Sequence, residues 1–259
     1  MKGRVALITG SAGGMGYAVA ARLAAAGCTV VLHGLEGAEI VEAQREALAK
    51  SHNVPVHYMQ ADLADPQAIE TMITGLREKL GGIDILLNNA VVRHFAPVDE
   101  FPPDKWDQAI AVNLSAAFHT IRLCLPGMRK KGWGRIFNMT SVYGQRATPN
   151  RIDYVTTKTA LVGITRSVAI EAAADGITCN AICPGAVHTP GIEVRIQGML
   201  KANGRSRDET VEEFLIGKNP SGRFISADHI GDLILFLCSE AGGDINGAVM
   251  PMEGGWLAG

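Results

Sequence analysis

Val5-Ala-Leu-Ile-Thr9-Gly10-Ser11-Ala-Gly13-Gly14-Met15-Gly16 is the stretch that decides the fold. Five residues of strand type run into a glycine-rich turn, and the turn runs into the helical pattern Met15–Ala26. Glycines placed this way let the backbone turn tightly and approach a pyrophosphate. The free N–H groups of the helix start then face the anion. The spacing is G-x-x-x-G-x-G rather than G-x-G-x-x-G, but the required context of strand before and helix after is present. The plainer alternative is a simple β–α turn with no ligand. The reading assigns Gly10, Ser11, Gly14, Met15 and Gly16 to a dinucleotide.

Outward from this turn the rhythm repeats. Strand-like Thr29–His33, Val54–Gln60, Ile83–Asn88, Gly134–Thr140, Ile177–Cys183 and Ala248–Pro251 alternate with helical patterns. The helical patterns are Ala38–Ser51, Pro66–Leu80, Lys105–Lys131 (one helix or two), Ile152–Ala174 and Ala227–Cys238. Apolar strands alternating with helices predict an α/β domain: a doubly wound parallel sheet with helices on both faces. No linker or repeat divides residues 1–259. One segment breaks the rhythm. His188–Arg223 is long, charge-mixed and glycine-punctuated, with a helical patch at Val211–Phe214. A connection of that length inside a compact domain is usually functional, and it reads as a substrate lid.

The bulk composition narrows the partners. The chain is 259 residues long, 47% hydrophobic and of net charge −2. Such a chain supports one large core and gives no reason to expect nucleic acid or an anionic membrane. It contains no run of about 18 apolar residues. Five scattered cysteines without a C-x-x-C read as core residues in a reducing, cytoplasmic compartment, and no metal site is expected.

The chemistry is carried by Ser141-Val-Tyr-Gly and Tyr154-Val-Thr-Thr-Lys158. A four-residue gap on a helix sets phenol and ammonium on one face. A free tyrosine has a pKa of about 10, and an adjacent cation lowers it, so the phenol can exchange a proton with an alcohol or ketone. The second strand ends His33-Gly34-Leu35-Glu36. A carboxylate directly at that end would suit a ribose 2′-hydroxyl, and an arginine a 2′-phosphate. Neither stands there, and Glu36 lies further along. With no basic residue in the glycine loop either, the reading favours NAD over NADP. Asp62 either accepts from the adenine amino group or serves as a helix N-terminal carboxylate.

Thr9–Gly16, Asp62, Asn88-Asn89-Ala90, Asn113, Ser141, Tyr154, Lys158 and Pro184-Gly185 follow one another in the order of the short-chain dehydrogenase/reductase family, which this chain resembles over its whole length. The resemblance implies a single-domain Rossmann fold, usually tetrameric, that moves hydride between a nicotinamide and a carbinol carbon. It implies Tyr154 as general acid/base, Lys158 as its pKa-lowering partner and ribose ligand, and Ser141 as holder of the substrate oxygen. Asn113 would fix a relay water. Leu35, Leu63, Asn89, Ala90, Val187 and Thr189 would line the cofactor. One departure is visible: Val91 stands where the family usually has glycine.

Within the family, Glu100–Trp106, Asn113–His119, Gly176–Gly185 and Gly254-Gly-Trp256 are similar to the NAD-using D-3-hydroxybutyrate dehydrogenases. The positions that surround the substrate carboxylate there differ here: Arg93, Tyr143, Arg151 and Arg195, with Trp256 kept and Ala186 replacing a tryptophan. Three arginines suit a small anionic substrate, since guanidinium binds carboxylate, sulfonate or phosphate through paired hydrogen bonds. Ala186 is expected to enlarge the pocket. His94 and His188 read as packed or solvent-facing. The expected activity is oxidation of a secondary alcohol on a hydroxy acid or on an acidic or sulfonated sugar. Hydroxybutyrate itself, a 3-oxoacyl reductase using NADPH and a non-catalytic nicotinamide-binding regulator are the alternatives. Long helices with more than one apolar face suit a homotetramer.

Overall fold

The computed structural model describes all 259 residues. Seven parallel strands form one sheet in the order β3-β2-β1-β4-β5-β6-β7. They are β1 (Val5–Ile8), β2 (Thr29–Gly34), β3 (Val56–Gln60), β4 (Ile85–Asn88), β5 (Gly134–Met139), β6 (Ile177–Pro184) and β7 (Val249–Met252). The expected doubly wound sheet is therefore present, with its order reversing between β1 and β4. In such sheets ligands lie at that reversal, beyond the carboxyl ends of the strands.

The helices are α1 (Gly14–Ala25), α2 (Ala38–His52), α3 (Pro66–Leu80), α4 (Pro103–Ile110), α5 (Ala116–Lys131), α6 (Ile152–Ala172), α7 (Pro190–Asn203), α8 (Arg207–Leu215) and α9 (Ala227–Leu237). Alternate residues of each central strand feed opposite faces. Ala6 and Ile8 join a core with α1, α2 and α9, whereas Val5 and Leu7 join one with α3, α5 and α6. The span Pro103–Lys131 is α4 and α5 joined by a π turn, Ala111–Ser115. It is long and apolar enough to cross a bilayer. Here its apolar residues Ile121, Cys124, Leu125 and Met128 are buried against the sheet.

The segment 188–223 folds as α7 and α8. Thr189 caps α7, and Ser206 with Glu209 closes a reciprocal capping box on α8. That S-x-x-E signal starts α8 four residues before the patch read from the sequence. Glu193 gathers Arg207, Gln197 and His188 at 2.7–2.8 Å and so ties α7 to α8. Arg207 beside it holds the Glu193 carboxyl far below the usual range.

A buried polar chain crosses the sheet beneath the site. Asn138 is fully buried; its Nδ2 donates to Thr165 of α6 and its Oδ1 accepts from Asn88 of β4, both at 2.9 Å. Thr120 of α5 donates to Asn88 Oδ1 at 2.7 Å. Removing one member leaves the others buried and unpaired. Asn138→Leu is therefore expected to lower unfolding stability by about 3 kcal/mol, measured by urea denaturation.

Candidate active site

A cavity of about 450 Å³ opens at the sheet reversal and runs from Glu36 at one end to Tyr154 at the other. Its floor is set by contact between the glycine turn and the end of β4. Asn89 Nδ2 donates to the carbonyls of Thr9 and Gly10 at 2.9 and 3.0 Å. Thr9 Oγ1 accepts from the amides of Asn89 and Ala90. A Cβ on Gly16 would stand 2.5 Å from the Gly10 carbonyl and 2.7 Å from Asn89 Nδ2, so only glycine fits. This bare-backbone cradle at the start of α1, with no side chain in the way, fits a dinucleotide pyrophosphate.

Gly10, Met15 and Gly16 line the cavity, as do Leu35, Asp62, Leu63, Asn89, Ala90, Pro184, Gly185, Val187 and Thr189. Two expected cofactor residues do not. Ser11 is wholly buried: its hydroxyl donates to the Ile8 carbonyl and accepts from the His33 amide, so its side chain points into the β1–β2 seam. Gly14, at φ +57°, shapes the turn rather than the wall. Val91 lines the cavity with a negative φ, so the family's glycine is not needed there for backbone reasons.

The end of the cavity at β2 shows where Glu36 lies, which the sequence left open. A Cβ at Gly34 would collide with the Glu36 carboxylate, which folds back across the strand end and lines the cavity. Tyr58 Oη donates to the Glu36 carbonyl at 2.7 Å and Gln60 Nε2 to that of Leu35 at 3.0 Å, which pins this turn. His33, also on the wall, was missed. Its Nδ1 accepts from the Gly10 amide at 3.1 Å, which leaves Nε2–H to donate to the Ala61 carbonyl at 3.1 Å. Burial lowers its pKa and keeps this neutral tautomer. Asp62 accepts from the Ala64 amide in the turn before α3, while Asp65 is the true cap of that helix.

At the other end, α6 carries Tyr154 and Lys158 on one face, both buried. Lys158 Nζ donates to the Met139 carbonyl at 2.6 Å, at the end of β5. Burial pulls the Lys158 pKa down to about 8, against the restoring pull of Tyr154. Burial pushes the Tyr154 phenol up, but Lys158, Arg93, a hydrogen bond from Ser141 and Arg151 together overcome it, and the pKa falls below its ordinary value. Ser141 Oγ accepts from the Tyr143 amide, which aims its own O–H toward the phenol. The three side chains can therefore grip an alcohol oxygen and move its proton.

Asn113 sits in the π turn, where it lines a small cavity together with Lys158. Its side chain is spent on Val92, accepting from the amide at 2.8 Å and donating to the carbonyl at 3.0 Å, which positions the loop bearing Arg93. A small cavity of about 10 Å³ between Asn113 and Lys158 has the size of about one water.

Among the expected substrate residues, only Arg93, Ser141 and Tyr154 line the main cavity. Arg151 lies over the Tyr154 ring with Cζ 4.2 Å from its centroid, and over Phe95 at 4.5 Å. Arg195, on α7, reaches the same Phe95 at 6.0 Å. Tyr143 and Trp256 pack edge to face at 5.4 Å beside the site. Ala186 does not line the cavity; it is buried in a small apolar cluster with Phe214 and Leu215 of α8. His94 packs on Phe101, and His188 bonds Glu193.

Comparison with known proteins agrees with this geometry. The family model described as enoyl-(acyl carrier protein) reductase matches residues 10–257. The chain is 40% identical to D-beta-hydroxybutyrate dehydrogenase of Cupriavidus necator, over all of this chain and 99% of that one. It is 38% identical to the enzyme of that name from Rhizobium meliloti, over 98% and 99% of the two chains. Among solved structures, L-sorbose reductase from Gluconobacter frateurii, complexed with NADPH and L-sorbose, superimposes with a TM-score of 0.95. It is 29% identical and covers all of this chain and 98% of its own.

Tyr154→Phe is expected to reduce turnover roughly 10²–10⁴-fold while leaving reduced-cofactor binding, read by its fluorescence, close to wild type.

Proposed function

The chain belongs to the short-chain dehydrogenase/reductase family, nicotinamide-dependent oxidoreductases acting on a CH–OH group, and from that premise we propose that it uses NAD to oxidise a secondary hydroxyl of a small anionic substrate. The substrate class is a hydroxy acid or an acidic or sulfonated sugar. The observation that carries this reading is the set of arginines at the substrate end: Arg93 and Arg151 over the Tyr154 ring, and Arg195 over Phe95, which Arg151 also covers. Arg93, Arg151 and Arg195 have no carboxylate within ion-pair distance, although Arg22, Arg45, Arg129 and Arg207 all do. Arg151 Nε is buried with no acceptor at all. A buried donor left unpaired is costly, and an anion bound there removes the cost. The relatives' names contain both chemistries: a hydroxy acid in the hydroxybutyrate enzymes and a sugar in the sorbose reductase.

A nicotinamide bound in the cavity supplies the hydride acceptor. The chain's residues supply the rest. Ser141 donates to the alcohol oxygen, and Tyr154 as phenolate takes its proton. Lys158, held on Met139, stabilises the phenolate. The segment 188–223 acts as the lid: Thr189 and Ile192 on the cavity wall and Arg195 beside Phe95 support closure over the substrate, with Glu193 making α7 and α8 one body. The Glu36 carboxylate supports NAD, since it offers an acceptor to a ribose hydroxyl and repels a 2′-phosphate. Exposed Phe118 of α5 and Ile170 of α6 support association of copies through these helices, and five free, buried cysteines support a reducing, cytoplasmic setting. The description of the matching family model favours one second reading, reduction of an acyl-chain substrate; a strong preference for NADPH would select it.

Hydroxy acids, acidic sugars and sulfonated sugars screened with NAD and NADP test the reading. Arg93→Gln and Arg151→Gln should each raise KM for the best anionic substrate roughly tenfold or more, with cofactor affinity unchanged. Wild-type efficiency in these two and in Arg195→Gln would overturn the anion assignment. Separately, Glu36→Ser should narrow the NAD-over-NADP preference in kcat/KM; no change would remove Glu36 from cofactor selection.

A further inference from the structure

Three cations surround the Tyr154 ring, where the family's acid/base chemistry requires one. Arg151 Cζ stands 4.2 Å from the ring centroid, Arg93 Cζ 5.4 Å and Lys158 Nζ 5.6 Å. Arg93 comes from the loop after β4, Arg151 from the residue just before α6, and Lys158 from within that helix. The other polar groups near the phenol are few. Ser141 hydrogen-bonds it from the turn after β5, and the Tyr143 ring lies 6.4 Å away edge to face. The acid nearest in sequence, Asp153, is fully buried; its Oδ2 accepts from the His94 amide and its Oδ1 has no partner. No carboxylate lies within ion-pair distance of either guanidinium, and Asp153 offsets Arg151 only from further away, so without a bound anion the phenol faces an excess of positive charge.

We propose, resting on the anionic-substrate reading, that anion binding at Arg93 and Arg151 is coupled to the protonation of Tyr154. With the arginines free, their charge favours the phenolate. When the anionic end of the substrate neutralises them, that support is withdrawn, and the phenolate becomes a stronger base as the hydroxyl is presented. In oxidation the alcohol O–H bond breaks, its proton bonds Tyr154 Oη, and the C–H electron pair leaves with hydride for the nicotinamide. Departure of the anionic product uncovers the arginines, lowers the phenol's proton affinity and returns the proton to solvent. The two arginines thus position charge for proton transfer as well as holding the anion. A neutral alcohol of the same size meets a weaker base.

The test titrates Tyr154 in the full chain, as the tyrosinate absorbance of the wild type minus that of Tyr154→Phe, with and without saturating methanesulfonate. This probe has an anion and no hydroxyl, and its binding is measured separately by calorimetry. The expected result is an upward shift of about one pH unit with the probe. Arg151→Gln and Arg93→Gln should each raise the midpoint without the probe and shrink the probe's effect. A probe that binds without moving the midpoint overturns the coupling but leaves the anionic-substrate reading standing. A probe that does not bind counts against that reading, and the variants then decide the coupling: midpoints equal to wild type in both overturn it. Arg93 lies on an exposed loop, so its variant serves if Arg151→Gln fails to fold.

Discussion

The close approach of the first β–α turn to the end of β4 is the constraint from which the site follows. Asn89 holds the carbonyls of Thr9 and Gly10, Thr9 holds the amides of Asn89 and Ala90, and Gly16 lies against the Gly10 carbonyl. These contacts span about eighty residues of sequence and join the two strands that flank the sheet reversal. They strip side chains from the floor of the crevice and leave backbone N–H groups at a helix start. A dinucleotide needs that surface, and the carboxyl ends of β5 and β6 then bring Ser141 and Pro184 to its far side.

Electrostatics at that far side run against burial. An ammonium and a phenol both sit inside the protein, where desolvation disfavours their charged forms. Lys158 remains tolerable because Met139 accepts from it and Tyr154 pulls its pKa back up, though not to its ordinary value. Tyr154 falls despite burial because several donors and cations act on it at once. The arginines extend this charge toward the substrate side through the rings of Tyr154 and Phe95, which are flat surfaces on which guanidinium stacks.

Legibility of the site followed how local each signal was. The glycine turn, Tyr154 with Lys158, and Ser141 were readable because their spacing alone fixes what they can do. Arg93 and Arg151 were readable only through resemblance, since an isolated arginine in sequence is indistinguishable from a solvated one. Ser11 was assigned to the cofactor from its place in the motif, yet hydrogen bonds to Ile8 and His33 turn it inward. That Ala186 packs with Phe214 and Leu215, nearly thirty residues on, is likewise invisible in any local pattern. The α8 start is written locally in the sequence, as the capping box of Ser206 and Glu209.

The sequence by itself determined the alternation of strands and helices, the turn that opens the sheet and the acid/base pair, because periodicity and short spacing are local properties of the chain. Only the tertiary structure decided that Glu36 folds back over Gly34, that neutral His33 holds the Gly10 amide, and that Asn113 serves the Arg93 loop. It also decided that Arg93 and Arg151 stand around one phenol without an ion-paired carboxylate. Each of these depends on the path of a loop after a strand. That path is set by contacts with elements distant in sequence, which no local pattern encodes.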